Sequence, residues 1–315
     1  MSGEKSNTAI ATTATANSIP LPYVGRFAPS PTGLMHLGSL YTAVASYLDA
    51  RANQGRWIVR IEDLDRPREV DGAAREILRN LEDFGFEWDG PVARQSTRSD
   101  FYLEALRILR DRRLSFDCSC TREALAGQSR YPGYCRDRPQ QSGPTGVRLI
   151  VAPHTIHFLD RIQGPIYQDV AATSGDLLIR RRDQLISYLL AVVVDDAEQG
   201  ITHVVRGADL IDETPKQIYL QQQLQLATPQ YAHVPTLVED GLKLAKSRRS
   251  LSLCSSEVGE QLIGVFQMLG LKPPQPLNLG TISEIWRWAI GQWHVERVPK
   301  QLNMRALGLK INKYL

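Results

Sequence analysis

Residues 26–39 read RFAPSPTGLMHLGS, a turn rich in proline and glycine between two apolar segments. Residues 21–24 before it suit a short strand, and residues 40–48, LYTAVASYL, carry apolar side chains at helical spacing. We therefore expect a strand, a tight turn and the N-terminus of a helix. Unpaired N–H groups and the helix dipole place positive potential at such a terminus, which favours anion binding. His36 can donate to a phosphate there, and Gly38 lets a ligand approach the backbone closely.

Strand-like and helix-like segments alternate further along the chain. Buried-strand patterns occur at residues 55–61, 177–179 and 203–206, and helical patterns at residues 71–84, 101–109 and 185–194. Cysteine, glycine and proline interrupt this alternation within residues 114–166. The pattern predicts an α/β protein with a doubly wound parallel sheet of the Rossmann type and one insertion. Ligands bind at the carboxyl ends of such strands, where His36, Glu62 and Arg206 fall.

The same pattern divides the chain into five segments. They are a tail at residues 1–22, the first half of the nucleotide-binding domain at 23–113, the insertion at 114–166, the second half at 167–240, and a basic loop with short helices at 241–315. The tail lacks the apolar core of a signal peptide, and no apolar run reaches the roughly 18 residues of a membrane span. Hydrophobic residues make up 43% of the chain and charged residues 23%, and the four cysteines do not form a secreted disulfide framework. These features favour a cytoplasmic globular protein with no membrane segment.

Two motifs resemble the class I aminoacyl-tRNA synthetases. The segment P-S-P-T-G-x-x-H-L-G at residues 29–38 resembles their HIGH motif in the form of the glutamyl and glutaminyl group. Residues 243–247, KLAKS, resemble the KMSKS loop, with Ala245 at a position where serine is usual. The resemblance implies ATP as substrate, Mg²⁺ as its metal, and His36 and Lys246 as the residues that act on the phosphates. The ATP-binding residues implied in this way are His36, Gly38, Ser39, Lys243 and Lys246.

Two arginines at strand ends suggest a binding site for a dicarboxylic amino acid. Arg26 and Arg206 each present a planar fork that matches a carboxylate, and glutamate has two carboxylates. Glu62 can hold the α-ammonium group, and Tyr188 can add a hydroxyl. The segments R-F-A-P-S, R-I-E-D-L-D, S-Y-x-L-A-V-V-V-D-D and V-V-R-G-A-D-L resemble the glutamate-binding segments of the glutamyl synthetases, in the same order. The implied glutamate-binding residues are Arg26, Ala28, Ser30, Glu62, Tyr188 and Arg206.

Three cysteines in the insertion suggest a metal site. Cys118 and Cys120 precede Cys135, and a tetrahedral structural zinc site needs four donors. The local oxygen donors are Asp117, Tyr131, Tyr134 and Asp137. Three reduced cysteines in a loop-rich module remain the alternative. The spacing resembles the zinc module of the glutamyl-Q tRNA(Asp) synthetases, which implies Zn²⁺ held by Cys118, Cys120, Tyr131 and Cys135. Cys254 stands apart, and we interpret it as an inert thiol.

The length of the C-terminal part, after Arg249, indicates which tRNA could accept the activated amino acid. Only 66 residues follow Arg249, with helical patterns at residues 262–269 and 282–290, so we expect no anticodon-binding domain of the glutamyl-tRNA synthetase type. Together with the cysteine module, the short C-terminal part resembles that of the glutamyl-Q tRNA(Asp) synthetases. The resemblance implies a protein that activates glutamate as glutamyl adenylate and transfers it to the queuosine base at the wobble position of tRNA(Asp), and we expect a monomer. Three alternatives stay open: a truncated glutamyl-tRNA synthetase charging the 3′ end of tRNA(Glu), a non-catalytic tRNA-binding paralogue, and a small-molecule adenylate-forming ligase.

Overall fold

The computed structural model describes residues 22–138, 143–239, 242–243, 253, 257–275, 277 and 280–306. Most of the predicted tail, and Ala245, Lys246 and Cys254, lie outside these residues. In the described part of the chain, no helix combines the length and apolarity that a membrane crossing requires.

Thirteen strands and eight α-helices occur within these residues. The strands are β1 (Val24–Phe27), β2 (Arg56–Ile61), β3 (Ala93–Arg94), β4 (Ser115–Cys118), β5 (Gly146–Leu149), β6 (Thr155–Asp160), β7 (Gly164–Asp169), β8 (Leu177–Arg180), β9 (His203–Gly207), β10 (Gln230–Val234), β11 (Thr236–Glu239), β12 (Leu242–Lys243) and β13 (Asn303–Arg305). The helices are α1 (Leu37–Ala52), α2 (Ala73–Asp83), α3 (Ser99–Asp111), α4 (Val170–Thr173), α5 (Tyr188–Glu198), α6 (Thr214–Leu224), α7 (Val258–Met268) and α8 (Ile282–Gln292).

Parallel strands form the centre of the molecule. Strands β1, β2 and β3 pair in parallel, and β9 pairs in parallel with β10. The two groups lie side by side, because the Thr202 N–H beside β9 donates to the Val24 carbonyl of β1 at 3.0 Å. The carboxyl ends of β1, β2, β9 and β10 therefore lie along one edge, as the sequence predicted for an α/β protein.

Both faces of these strands are covered. Along β2, Trp57 and Val59 enter one core, and the intervening Ile58 enters another. The first core contains residues of α1, α2, α7 and α8, and the second contains residues of α3, α5 and α6. Successive strand side chains point to opposite faces, so a strand buried on both faces is apolar throughout. This explains the apolar run at residues 57–59, and Arg60, which follows it, is buried because carboxylates pair with it.

The strand predicted at residues 177–179 is present as β8, but it belongs to a separate antiparallel sheet and not to the central group of parallel strands. It pairs antiparallel with β5, which pairs antiparallel with β4. The antiparallel sheet therefore draws on residues on both sides of residue 166. The helix predicted from residue 185 begins at Tyr188, because the Ser187 side chain caps it by accepting from the Leu190 N–H.

Candidate active site

A cavity of about 570 Å³ opens at the carboxyl ends of β1, β2 and β9. It is the space into which the sequence predicted that ATP and glutamate would bind. Its lining includes nine residues named from sequence: Arg26, Ala28, Ser30, His36, Gly38, Ser39, Glu62, Tyr188 and Arg206. The structure thus brings together residues that are up to 180 positions apart in the chain.

The turn that opens α1 is organised by His36. Its side chain caps the helix, since Nδ1 accepts from the Ser39 N–H at 3.2 Å, and Nε2 lies 3.3 Å from Ser39 Oγ. A Cβ added to Gly38 would lie 3.0 Å from His36 Cε1, tighter than ordinary contact. Glycine at this position therefore leaves room for the imidazole. The histidine and the first-turn N–H groups together provide a site for an anion.

Arg26 belongs to a buried network of charges. Its Nε and Nη2 donate to the Asp196 carboxylate at 3.3 and 3.4 Å, and Arg60 donates to the same carboxylate at 2.8 Å. Arg60 also reaches Glu62 at 3.3 Å. Burial raises the pKa of Glu62, while Arg60 and Arg26 act in the opposite direction. Although burial alone would raise the pKa of Asp196, the two guanidiniums hold it below its ordinary value. The Asp196 carboxylate, which is not part of the cavity lining, therefore holds both Arg26 and Arg60, and Glu62 of the lining contacts Arg60 alone.

Arg206 has a different environment, because no carboxylate of the described residues pairs with it. It is 4% exposed. Its Nε donates to His233 Nε2 at 3.1 Å, and its Nη2 donates to Thr214 Oγ1 at 2.7 Å and Gln217 Oε1 at 2.8 Å. The remaining nitrogen, Nη1, is buried without a hydrogen-bond partner among the described residues. A buried unpaired donor on a cavity wall is suited to receive an anionic oxygen of a ligand.

Tyr188 and Ser30 complete the amino-acid end of the cavity. Tyr188 is the first residue of α5, and it lines the cavity, where burial raises the pKa of its hydroxyl. Ser30 lies in the turn after β1 and shares this part of the lining with Ala28.

Sequence reasoning missed several residues that contact the predicted ones. Asp196 lies in the quoted segment S-Y-x-L-A-V-V-V-D-D, and two buried acids at the end of an apolar helix are a signal that such a partner exists. Thr214 and Gln217 lie one turn apart at the start of α6. His233 and Asp160 are described below. Thr214, Gln217, His233 and Asp160 lie outside the quoted motifs.

Three thiols and one phenol converge in the insertion. The Sγ atoms of Cys118, Cys120 and Cys135 all lie within 4.8 Å of one another. The Tyr131 hydroxyl lies 3.5 Å from Cys118 Sγ and 3.9 Å from Cys120 Sγ. Tetrahedral zinc with ordinary bond lengths needs sulfur–sulfur distances of about 3.8 Å and sulfur–oxygen distances of about 3.5 Å. The four donors therefore fit a zinc ion with small adjustments.

A buried arginine adjoins this cluster. Arg148 donates from Nε to Cys118 Sγ at 3.4 Å, and its guanidinium lies 3.8 Å from the centre of the Tyr131 ring. It also donates to the Asp176 carbonyl at 2.7 Å. A cation at this position offsets part of the negative charge that thiolate ligands carry.

The second ATP motif lies almost wholly outside the described residues. The backbone of Lys243 belongs to β12, which pairs with β11 beside the cavity residue Leu237. Lys246 is not among the described residues, so its role stays a prediction from the resemblance.

Comparison with known proteins places these observations in a family. The profile described as tRNA synthetases class I (E and Q), catalytic domain, matches residues 23–269. A glutamyl-Q tRNA(Asp) synthetase of Pseudomonas paraeruginosa is 48% identical over 284 residues, covering 90% of this chain and 97% of that protein. Its counterpart in Pseudomonas aeruginosa is 49% identical over 280 residues, covering 88% and 96%.

Solved structures agree on the fold. A glutamate tRNA ligase of Elizabethkingia meningosepticum, crystallised with its amino acid, has a TM-score of 0.76 and 25% identity, covering 90% of this chain and 67% of its own. A glutamate-tRNA synthetase of Elizabethkingia anophelis has a TM-score of 0.77 and 25% identity, covering 91% and 68%.

Proposed function

Since the chain belongs to the class I tRNA synthetases, and among them to the glutamyl-Q tRNA(Asp) synthetases, we propose that it transfers glutamate to tRNA(Asp) in two steps. It is a ligase of the aminoacyl-tRNA synthetase type. Glutamate is first activated by ATP as glutamyl adenylate. The glutamyl group then passes to a hydroxyl of the queuosine base at the wobble position. The observation that carries this proposal is the single cavity that joins the anion-binding turn of His36 to both arginines.

In the first step, an oxygen of the glutamate α-carboxylate attacks the α-phosphorus of ATP in line, and pyrophosphate leaves. His36 and the first-turn N–H groups of α1 stabilise charge on the phosphates, and Lys246 acts on the same side. Mg²⁺ that arrives with ATP supplies further charge neutralisation. The protein contributes by position and electrostatics, so no covalent enzyme intermediate is needed.

Glutamate binds at the other end of the cavity. Arg26 and Arg206 take its two carboxylates, and Glu62 takes the α-ammonium group. Tyr188 donates a hydroxyl, and Ala28 and Ser30 shape the wall. In the second step, a hydroxyl of the acceptor attacks the carbonyl carbon of the mixed anhydride, and AMP leaves. The nine predicted residues that line the cavity belong to one chain, so this proposal needs no second subunit. The reaction needs ATP and tRNA together, which assigns it to the cytoplasm.

We assign Zn²⁺ to Cys118, Cys120, Tyr131 and Cys135. Its role is structural, because four protein donors leave no open position for substrate. The ion would tie the end of β4 to the loop that contains Tyr131.

The test is transfer of labelled glutamate to defined tRNAs. We expect transfer to tRNA(Asp) that carries queuosine, and equal transfer after removal of its 3′-terminal adenosine. Unmodified tRNA(Asp) should accept nothing. Transfer to the 3′ end of tRNA(Glu) would instead identify a truncated glutamyl-tRNA synthetase. Absence of glutamate-dependent pyrophosphate exchange, with or without tRNA, would identify a non-catalytic paralogue.

A further inference from the structure

A buried relay of three side chains stands behind the substrate cavity. We propose that Asp160 and His233 are positioning residues, which hold the Arg206 guanidinium so that its Nη1 meets a glutamate carboxylate. This inference rests on the proposed function and deepens it, because it names residues that set the amino-acid specificity without touching the amino acid.

The relay follows from the register of the parallel strands. His233 of β10 is the partner of Arg206 of β9, so the two side chains emerge side by side on the same face. Asp160 ends β6, and its Oδ2 lies 2.6 Å from His233 Nδ1. Both side chains of this pair are fully buried. The three residues therefore form a continuous chain of hydrogen bonds from the core to the cavity wall.

The direction of each hydrogen bond is determined by chemistry. A guanidinium has only donors, so His233 Nε2 serves as the acceptor for Arg206 Nε at 3.1 Å. The Thr214 hydroxyl lies 3.0 Å from the same nitrogen and can donate to it as well. The proton of the neutral ring then lies on Nδ1 and is donated to Asp160. Burial holds the pKa of His233 below its ordinary value; the hydrogen bond to Asp160 raises this pKa, and the Arg206 charge lowers it. The neutral ring with its proton on Nδ1 is the form that fits this site.

Asp160 is itself held in place. Its Oδ1 accepts backbone N–H groups of Ile162, Gln163 and His233 at 3.0, 2.8 and 3.2 Å. These three donors fix the plane of the carboxylate and direct Oδ2 towards the imidazole. A second-sphere carboxylate that selects one tautomer and one ring orientation is a recurrent use of this residue pair.

The relay has a consequence for the substrate. A guanidinium is planar, so anchoring Nε and Nη2 determines where Nη1 points. His233 anchors Nε, and Thr214 and Gln217 anchor Nη2. Nη1 is the one guanidinium nitrogen of Arg206 that lacks a hydrogen-bond partner among the described residues. Loss of the His233 anchor would let the fork rotate away from the carboxylate.

The first test is His233→Leu compared with His233→Gln. Leucine removes the acceptor, and we expect the Kd of glutamate, measured calorimetrically, to rise about 10- to 100-fold, as expected for a misplaced contact. Glutamine can place its Oε1 near the position of Nε2, so it should recover most of the affinity. The KM for ATP should change less than twofold in both variants, and the preference for glutamate over glutamine should narrow in His233→Leu alone. His157→Gln, at an exposed position of β6, is the matched control.

The second test uses Asp160→Asn, which keeps the size of the side chain. Its amide oxygen would face the three backbone donors, so its NH₂ group would face His233 Nδ1. The ring proton would then move to Nε2 and oppose Arg206. We expect Asp160→Asn to lose as much glutamate affinity as His233→Leu. The double variant Asp160→Asn with His233→Gln should bind glutamate as well as His233→Gln alone, because glutamine has no tautomer to invert.

The outcomes separate this inference from the proposed function. If the wild-type protein binds glutamate but does not transfer it to tRNA(Asp), the proposed acceptor is wrong and the relay stands. If Asp160→Asn folds and binds glutamate within twofold of wild type with unchanged preference over glutamine, the relay does not position Arg206. That variant decides the question even if His233→Leu does not fold.

Discussion

Glutamine should be a much poorer substrate than glutamate, and the charges around the cavity indicate by how much. The buried network behind the amino-acid end contains three guanidiniums and three carboxylates, so its formal charges balance. They are Arg26, Arg60, Arg98, Glu62, Asp195 and Asp196. Arg206 lies outside this network and has no carboxylate partner among the described residues. Glutamate carries one net negative charge at neutral pH, and glutamine carries none. The side-chain carboxylate of glutamate can therefore pair with a guanidinium of the cavity, such as Arg206, whose Nη1 has no partner among the described residues, and the neutral amide of glutamine cannot form this ion pair.

The magnitude follows from the buried contacts. An amide in place of the side-chain carboxylate would turn an NH₂ donor towards a guanidinium that has only donors. Leaving such a buried charge unpaired costs about 2–5 kcal/mol. At about 1.4 kcal/mol per decade, this corresponds to roughly 30- to several-thousand-fold in kcat/KM. Aspartate keeps the charge but is one methylene shorter, so it should lose contact with one of the two forks.

The assay is pyrophosphate exchange at subsaturating amino acid, with glutamine freed of contaminating glutamate by prior enzymatic oxidation. Arg26→Ala and Arg206→Ala should each abolish useful exchange with glutamate. Equal kcat/KM values for glutamate and glutamine in the wild-type protein would refute the two-arginine pocket, whatever the ATP motifs imply.

Three further predictions concern other parts of the molecule. Lys246→Ala should slow pyrophosphate exchange by a large factor and leave glutamate binding nearly intact, because the lysine meets charge that develops in the transition state; a rate within about twofold of wild type would remove it from the site. The purified protein should contain about one zinc per chain, Cys135→Ser should lose it, and Tyr131→Phe should bind it about tenfold or more weakly by chelator competition; full affinity in the phenylalanine variant would assign the fourth ligand to another oxygen. Burial, assisted by Arg161, lowers the pKa of His203 to about 4. The folded state therefore resists protonation of this histidine, and the free energy of unfolding should fall by about 1–3 kcal/mol between pH 6.5 and 4. In denaturant titrations His203→Phe should lack this part of the fall, and a pH dependence equal to that of the wild-type protein would contradict the assignment.

The local elements of the site could be predicted from the sequence alone. The conformation of the turn at residues 26–39 is determined by its own sequence, because proline, glycine and a capping side chain act over a few positions. The pattern of residues 55–61 predicted a buried strand, which the structure has as β2, and Glu62 at its end was predicted at the sheet edge where the structure has it. Nine of the eleven residues named for the ATP and glutamate sites line one cavity in the structure, and their individual roles stay predictions. The other two are Lys246, which lies outside the described residues, and Lys243, of which only the backbone is described.

Only the tertiary structure determined the partners of these residues. Arg26 and Asp196 are 170 positions apart, and His233 and Asp160 are 73 apart, so no local periodicity connects either pair. Strand β8 likewise has an ordinary apolar pattern, and its antiparallel pairing with β5 depends on the fold around it. Register between distant strands is set by the packing of two cores at once, and a buried polar group must find its partner there. The sequence therefore determines which groups can bind the substrate, and the three-dimensional packing determines what holds those groups in place.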